Sequence, residues 1–313
     1  MENNKIISIV VPCYNESENI ESTYKELIST LNKRPEFDYE IIFVDNGGTD
    51  NQFEIMKSLY KTDKEHIKII SLSRNFGYQM SMTAGLKYVK GDASILIDAD
   101  LQDPTSLIID FIDSWEKEGF DVVYGERIKR KGPFFLRVFY KLFYLLFDFT
   151  SDVSMPLNAS EFGLMDKKVV KQINMMPENI RFIRGLRSWV GYKQKGIEYI
   201  REERKRGVSK FKFFDSFVLA MDGILSFSSR ILTFVTLFGI GIILFSIFLI
   251  AYIFIWKFYS NQSIPGYAAI MVSISFFSGV IIFMLGLAGA MIERIFLEIK
   301  SRPQFIIKEK IGM

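Results

Sequence analysis

Asp98, Asp100 and Asp103 fall within six residues of one another in ILIDADLQDP, Ile95–Pro104. The apolar run before them reads as a strand buried on both faces, where an unpartnered carboxylate is expensive. A positive partner is therefore expected at this strand end. Asp98 and Asp100 are two apart, so regular strand geometry puts both on one face. Two carboxylates on one side suit a hard divalent cation, Mg²⁺ or Mn²⁺, which takes one or two carboxylates and completes its shell with substrate phosphates. Asp103 has a structural reading as the cap of the next helix, with Pro104 in the first turn. An Asp-x-Asp pair alone is a weak signal, and it gains weight here from its place after an apolar strand.

The elements needed to position these groups are legible over the first 127 residues. Ile6–Pro12, Glu40–Asn46, Ile67–Ser73, Ala93–Asp100 and Asp121–Arg127 read as strands. Helical stretches lie between them: one from an Asn15/Glu18 capping box to about Leu31, one ending near Tyr60, and one over Gln79–Val89. Gly47 and Gly48 form a turn after the second strand. Apolar strands alternating with helices imply a mostly parallel α/β sheet, and ligands of such sheets bind beyond the carboxyl ends of the strands. Polar residues collect there: Tyr14–Glu16, Asp45–Asn46, Arg74–Asn75 and Asp98–Asp103.

Composition divides the chain. Charges are spread through roughly the first 230 residues, whereas Ile231–Trp256 and Ile264–Ile292 contain none. Each stretch exceeds the roughly 20 helical residues that span a bilayer core. The short connector between them implies a transmembrane hairpin. Basic residues flank its outer ends (Arg201, Arg204, Lys205 and Arg206 before it, Lys300, Arg302, Lys308 and Lys310 after it), which places both termini in the cytoplasm. Phe134–Phe149 and Phe211–Ser229 are aromatic-rich stretches that read either as core helices or as helices at the bilayer surface. A net charge of +3 gives no footing for a nucleic-acid partner, and the single Cys13 rules out an intramolecular disulfide. The N-terminal apolar run is too short for a signal-peptide core. The expected divisions are a core at 1–130, an acceptor-side region at 131–229, the hairpin at 230–293 and a cytoplasmic tail at 294–313.

VPCYNESENI, VDNGGTD, RNFGYQMSMTAGL, DADLQDP, DVVYGER and RKRGVSKF, in this order and followed by two apolar stretches, resemble the polyprenyl-phosphate glycosyltransferases of glycosyltransferase family 2. The bactoprenol glucosyltransferases and dolichyl-phosphate mannose synthases are its best-known members. The resemblance covers essentially the whole chain. It implies a GT-A fold, a Rossmann-like α/β domain, followed by a two-helix transmembrane hairpin. It implies that Pro12, Tyr14, Glu16, Asp45 and Asn46 hold the donor nucleotide. Asp98 and Asp100 would bind Mg²⁺ or Mn²⁺ on the diphosphate, with Gln102 close by. Arg127 would face the phosphates, and Arg204 and Lys210 would contact phosphate from a closing loop. The implied reaction is inverting transfer of a sugar, glucose from UDP-glucose in the first instance, to undecaprenyl phosphate at the cytoplasmic membrane face. Homo-oligomers, tetramers among them, are implied as well.

A phosphate nucleophile is largely ionised at neutral pH, its second pKa lying near ~6, so no catalytic histidine is expected, and the only one is His66. The sequence departs from the family in three places. Asn46 and Gly48 stand in the usual Asp-Asp-Gly-Ser, Glu161 replaces an aspartate, and Gly163 replaces the arginine of Gly-Asp-Phe-Arg-Leu. Other readings are an N-acetylglucosamine, galactose or mannose donor, and a catalytically weakened membrane scaffold. A processive synthase is disfavoured because the chain lacks a Gln-x-x-Arg-Trp motif.

Overall fold

The computed structural model describes residues 4–128, 156, 158–202, scattered positions between 238 and 259, and 266–313. The chain divides into two compact units, Met1–Asp148 with Val153–Gly223 and Pro303–Met313, and Phe149–Asp152 with Ile224–Arg302.

The first unit is built on an eight-stranded sheet. In chain order its described elements are β1 (Ile6–Cys13), α1 (Ile20–Leu31), β2 (Asp38–Asp45), α2 (Gln52–Thr62), β3 (Ile67–Leu72), α3 (Tyr78–Tyr88), β4 (Ala93–Leu96), α4 (Leu107–Glu116), β5 (Val122–Arg127), β6 (Ala159–Asp166), α5 (Lys167–Met175), α6 (Ile183–Trp189), β7 (Gln194–Tyr199) and β8 (Ile307–Ile311). The strand order is β7-β5-β6-β4-β1-β2-β3-β8. β1 is buried along all but its first residue, which is why its sequence is a continuous apolar run rather than an alternation. Cys13, Asp45 and Ser71 are register partners across β1, β2 and β3, so these strands end at one edge. The polar residues that follow them are thereby brought together.

The sheet is mixed rather than mostly parallel. β6 runs antiparallel to both β4 and β5, and β8 runs antiparallel to β3. β8 comes from the tail after the last apolar stretch and covers the outer edge of β3, an edge that would otherwise offer unpaired backbone groups. The capping box expected at Asn15 and Glu18 is not formed, because α1 starts at Ile20 with Asn19 at its N-cap. Asn15 instead has φ +54, and its Oδ1 accepts from Thr49 N at 2.6 Å, tying the end of β1 to the turn after β2. In that turn Gly47 has φ +66, and a Cβ there would lie 2.7 Å from the Arg74 Cα, so only glycine fits.

In the second unit α7 (Tyr267–Ile299) runs for 33 residues, about 50 Å at 1.5 Å per residue. Its Phe276–Ile299 portion is long and apolar enough to cross a membrane, with a mean hydropathy of 2.1 in its most apolar window. It is the one such helix among the described residues. Phe134–Phe149, Phe211–Ser229 and most of the first apolar stretch lie outside the described residues; the described positions between 238 and 259 are helical.

Candidate active site

β4 stops at Leu96, so Asp98 and Asp100 stand not in a strand but in the loop after it. Leu101, buried with φ +55, turns this loop back on itself. Such a backbone is uncommon for a residue with a side chain. The carboxylates converge through this turn and not through strand alternation. Tyr78 Oη donates to Asp98 Oδ1 at 2.5 Å, and Gln102 N donates to Asp100 Oδ1 at 3.1 Å. Asp103 is not a helix cap: Ser106 precedes α4, and Asp103 is buried. Tyr199 Oη donates to Asp103 Oδ1 at 2.5 Å, and Arg127 Nη2 lies 3.6 Å from Asp103 Oδ2.

The positive partner anticipated at this strand end is a pair of arginines. Arg127 Nε donates to Tyr199 Oη at 3.0 Å, completing an Arg127–Tyr199–Asp103 chain. Arg201, two residues past β7, places Nη2 3.4 Å from Asp98 Oδ2 and 3.7 Å from Asp100 Oδ2, and Nε 3.3 Å from Asp103 Oδ1. Burial, with the neighbouring Asp103 and Asp100 carboxylates, pushes the pKa of Asp98 up to about 7, against the partial relief of Arg201 and Tyr78. Burial works against the charge of Arg127, but Asp103 and Tyr199 outweigh it and hold its pKa above the usual value. Burial, and then Asp103, raise Tyr199 to about 12, so its hydroxyl remains a donor.

Pro12, Tyr14, Glu16, Asn46, Asp98, Asp100, Gln102, Arg127 and Glu161 line one open cleft of about 590 Å³ at this sheet edge. Asp45 does not line it. It is buried beneath, where its carboxylate accepts from Gly48 N at 3.0 Å, from Ser71 Oγ at 2.7 Å and from Gln52 Nε2. Asn46 fills a role an aspartate would not. Its Nδ2 donates to Asn75 Oδ1 at 3.2 Å while its Oδ1 accepts from Phe76 N at 3.0 Å. The Gln102 side chain is tied to the segment after β7, Nε2 donating to Glu202 O at 3.1 Å.

On the other wall, Glu161 Oε1 accepts from Gln79 Nε2 and Arg184 Nε, both at 3.0 Å. Among the described residues its Oε2 is buried without a hydrogen-bond partner. Gly163, where the family has arginine, sits in β6 between β4 and β5. A Cβ there would lie 2.7 Å from Val123 O and 2.9 Å from Tyr124 Cα. The guanidinium that meets Glu161 comes instead from Arg184 on α6. Arg204 and Lys210 lie outside the described residues. His66 is remote from the cleft, stacked on Tyr39 and 2.8 Å from Asp63. Sequence reading missed Tyr78, Gln79, Arg184 and Tyr199 as parts of this site, and took Arg201 only for a basic residue near the membrane.

Among the described residues no group of three His, Cys, Asp or Glu side chains is arranged to hold a metal ion by itself. Asp98 and Asp100 offer hard oxygen ligands only, a set that fits Mg²⁺ or Mn²⁺ when phosphate oxygens and water complete the shell.

A mixed α/β sheet with an acidic loop and arginines converging at its carboxyl edge defines a GT-A glycosyltransferase. The sequence profile described as Glycosyl transferase family 2 matches residues 8–173, and the chain belongs to this family. It is 40% identical to an uncharacterized glycosyltransferase, YkcC, of Bacillus subtilis (strain 168), over 98% of this chain and 94% of that one. It is 36% identical to the SfII prophage-derived bactoprenol glucosyl transferase of Shigella flexneri, over 97% of both. A solved mannosyltransferase of Pyrobaculum calidifontis, in complex with GDP-Man and Mn²⁺, is 16% identical over 66% of this chain and 59% of that one, with a TM-score of 0.47.

Proposed function

We propose that this glycosyltransferase moves a hexose, glucose in the first instance, from a uridine diphosphate donor to the phosphate of undecaprenyl phosphate or a similar polyprenyl phosphate, with inversion at the anomeric carbon. The observation that carries this reading is the meeting of Asp98 and Asp100 with Arg127, Arg184 and Arg201 in one cleft, in a chain with near-full-length relatives named for bactoprenol glucosyl transfer. Such a mixture of charges suits a diphosphate leaving group and a phosphate nucleophile.

Pro12, Tyr14, Glu16 and Asn46 would hold the nucleotide, with Asp45 bracing the turn beneath them. Asp98 and Asp100 would hold Mg²⁺ or Mn²⁺, which when bound neutralises charge developing on the diphosphate. Arg127, held by Tyr199 and Asp103, is aimed at the same charge and needs no reorganisation to meet it. The acceptor phosphate arrives ionised, so Glu161 need not take a proton. Gln79 and Arg184 would fix Glu161 on the acceptor side of the cleft. Apolar stretches at 231–256 and 264–292 would anchor the domain as a hairpin with both termini in the cytoplasm, where a soluble donor and a lipid headgroup can meet.

The test is a panel of radiolabelled UDP-glucose, UDP-galactose, UDP-N-acetylglucosamine and GDP-mannose, offered with undecaprenyl phosphate and Mn²⁺ to the detergent-purified protein. Label should enter the organic phase from one donor. It should fall by roughly 100-fold or more with EDTA or Asp100→Asn, the rate equivalent of several kcal/mol. No label from any donor, with a bactoprenol glucosyl transferase active in parallel, would sink the proposal.

A further inference from the structure

The two arginines at the acidic loop are held differently. Arg127 makes a directed hydrogen bond to Tyr199 Oη at 3.0 Å and lies against Asp103, both of them buried. Arg201 makes one long hydrogen bond, Nη2 donating to Asp98 Oδ2 at 3.4 Å, and lies 3.7 Å from Asp100 Oδ2. Its Nε, although 3.3 Å from Asp103 Oδ1, is buried without a hydrogen-bond partner among the described residues. Charge, more than hydrogen-bond geometry, keeps this guanidinium among three carboxylates.

Charge counting sharpens the contrast. Asp98, Asp100 and Asp103 bring three negative charges, and Arg127 and Arg201 bring two positive ones. Both arginines lie against Asp103, but among the described residues Arg201 is the one within 4 Å of Asp98 and Asp100. A divalent cation on those oxygens would add two positive charges within a few ångströms of the guanidinium, and like charges at that range repel strongly. Arg201 is also stitched to the loop through its neighbour: Glu202 N donates to Gln102 O at 2.9 Å, and Gln102 Nε2 donates back to Glu202 O at 3.1 Å.

We infer that Arg201 is an exchangeable counter-ion: its guanidinium and a divalent cation compete for Asp98 and Asp100, and metal binding frees Arg201 from the acidic loop to meet the anions of the substrates. The inference rests on the reading of Asp98 and Asp100 as metal ligands. It gives Arg201 a double action, weakening metal binding before the donor arrives and meeting the substrates' anions afterwards. It also joins the metal site to the start of the segment that runs on into the basic sequence RKRGVSK.

Mn²⁺ alone is the probe. Its binding to the full-length protein in detergent is read from the loss of the free-ion electron paramagnetic resonance signal, with no donor present. Arg201→Gln and Arg201→Ala should each bind Mn²⁺ at least fivefold tighter than the unmodified protein, while turnover falls at least tenfold. Arg201→Lys, which keeps the competing charge, should bind Mn²⁺ within about twofold of the unmodified protein and gives a comparison if a neutral variant does not fold: tightening in Arg201→Lys as large as fivefold would contradict competition by charge. Equal or weaker Mn²⁺ binding in a folded neutral variant overturns the inference, because a merely structural arginine would leave a poorer site when removed. If the unmodified protein and Asp98→Asn both fail to bind Mn²⁺, the metal reading itself falls, an outcome distinct from the one that removes Arg201 from the account.

Discussion

Holding the Asp98 carboxylate beside two others costs the fold stability, and replacing it with asparagine measures how much. Its carboxyl rises from the ordinary aspartate value of 3.8 to about 7, through burial and the Asp103 and Asp100 charges. Each unit of pKa is worth about 1.4 kcal/mol, so ionising Asp98 costs about 4 kcal/mol more in the folded than in the unfolded chain. Below pH 4 both states hold the proton and no cost exists. Between about pH 4 and pH 7 the unfolded state loses the proton first, so the native protein loses stability as pH rises. Above pH 7 the full cost is present. Asparagine resembles the protonated form and can still accept from Tyr78 Oη. With EDTA present, Asp98→Asn should therefore be more stable than the unmodified protein by roughly 2–4 kcal/mol at pH 8, a rise in Tm of roughly 5–10 °C. The difference should shrink toward zero near pH 4.5. Thermal unfolding followed by intrinsic fluorescence at pH 4.5, 6 and 8 is sufficient. A variant less stable at pH 8, or a difference independent of pH, would refute the claim that these carboxylates repel one another across the loop.

Two further substitutions test the supports of the site. Tyr199→Phe leaves the buried Asp103 carboxylate without its 2.5 Å donor and Arg127 without its acceptor; thermal unfolding should report a loss of about 1–3 kcal/mol, and label transfer should fall with it. Gly163→Ala puts a methyl group 2.7 Å from Val123 O, a backbone atom that cannot swing aside. It should cost about 1–3 kcal/mol in the same unfolding assay, and Gly163→Arg, which restores the family residue, should impair folding rather than raise activity.

The parts of this fold that were legible are those fixed locally. β1 to β5 are short apolar runs, most of them closed by turn residues, and burial on both faces leaves that mark on a sequence. β6, ASEFGLMD, and β7, QKGIEY, mix polar and apolar residues and follow no clear period. β8, IKEKI, is an exposed edge strand whose charges hide it. The site divides along the same line. Asp98 and Asp100 stood out because carboxylates rarely end an apolar strand without a purpose. Asp103 was misread because the Asp-Pro pair beside it mimics a helix start, while the donor that claims its carboxylate, Tyr199, lies 96 residues away. Arg184 and Arg201 meet Glu161 and the acidic loop only through the sheet order that brings β7 and α6 to this edge, and spacing along the chain carries no trace of that. Gly163 shows the converse. Its departure from the family pattern was visible, but that β5 backbone crowds the position and that Arg184 supplies the guanidinium were not.

The central claim is that a cleft built from an acidic loop and arginines transfers a sugar to a lipid phosphate. The most direct test is a paired reaction with UDP-[¹⁴C]glucose and Mn²⁺, one tube holding undecaprenyl phosphate and the other undecaprenol. If the acceptor's own ionised phosphate is the nucleophile, label reaches the organic phase only in the first tube. Label in the undecaprenol tube would mean that the protein activates a hydroxyl, a task for which this cleft has been assigned no base, and the account would be wrong.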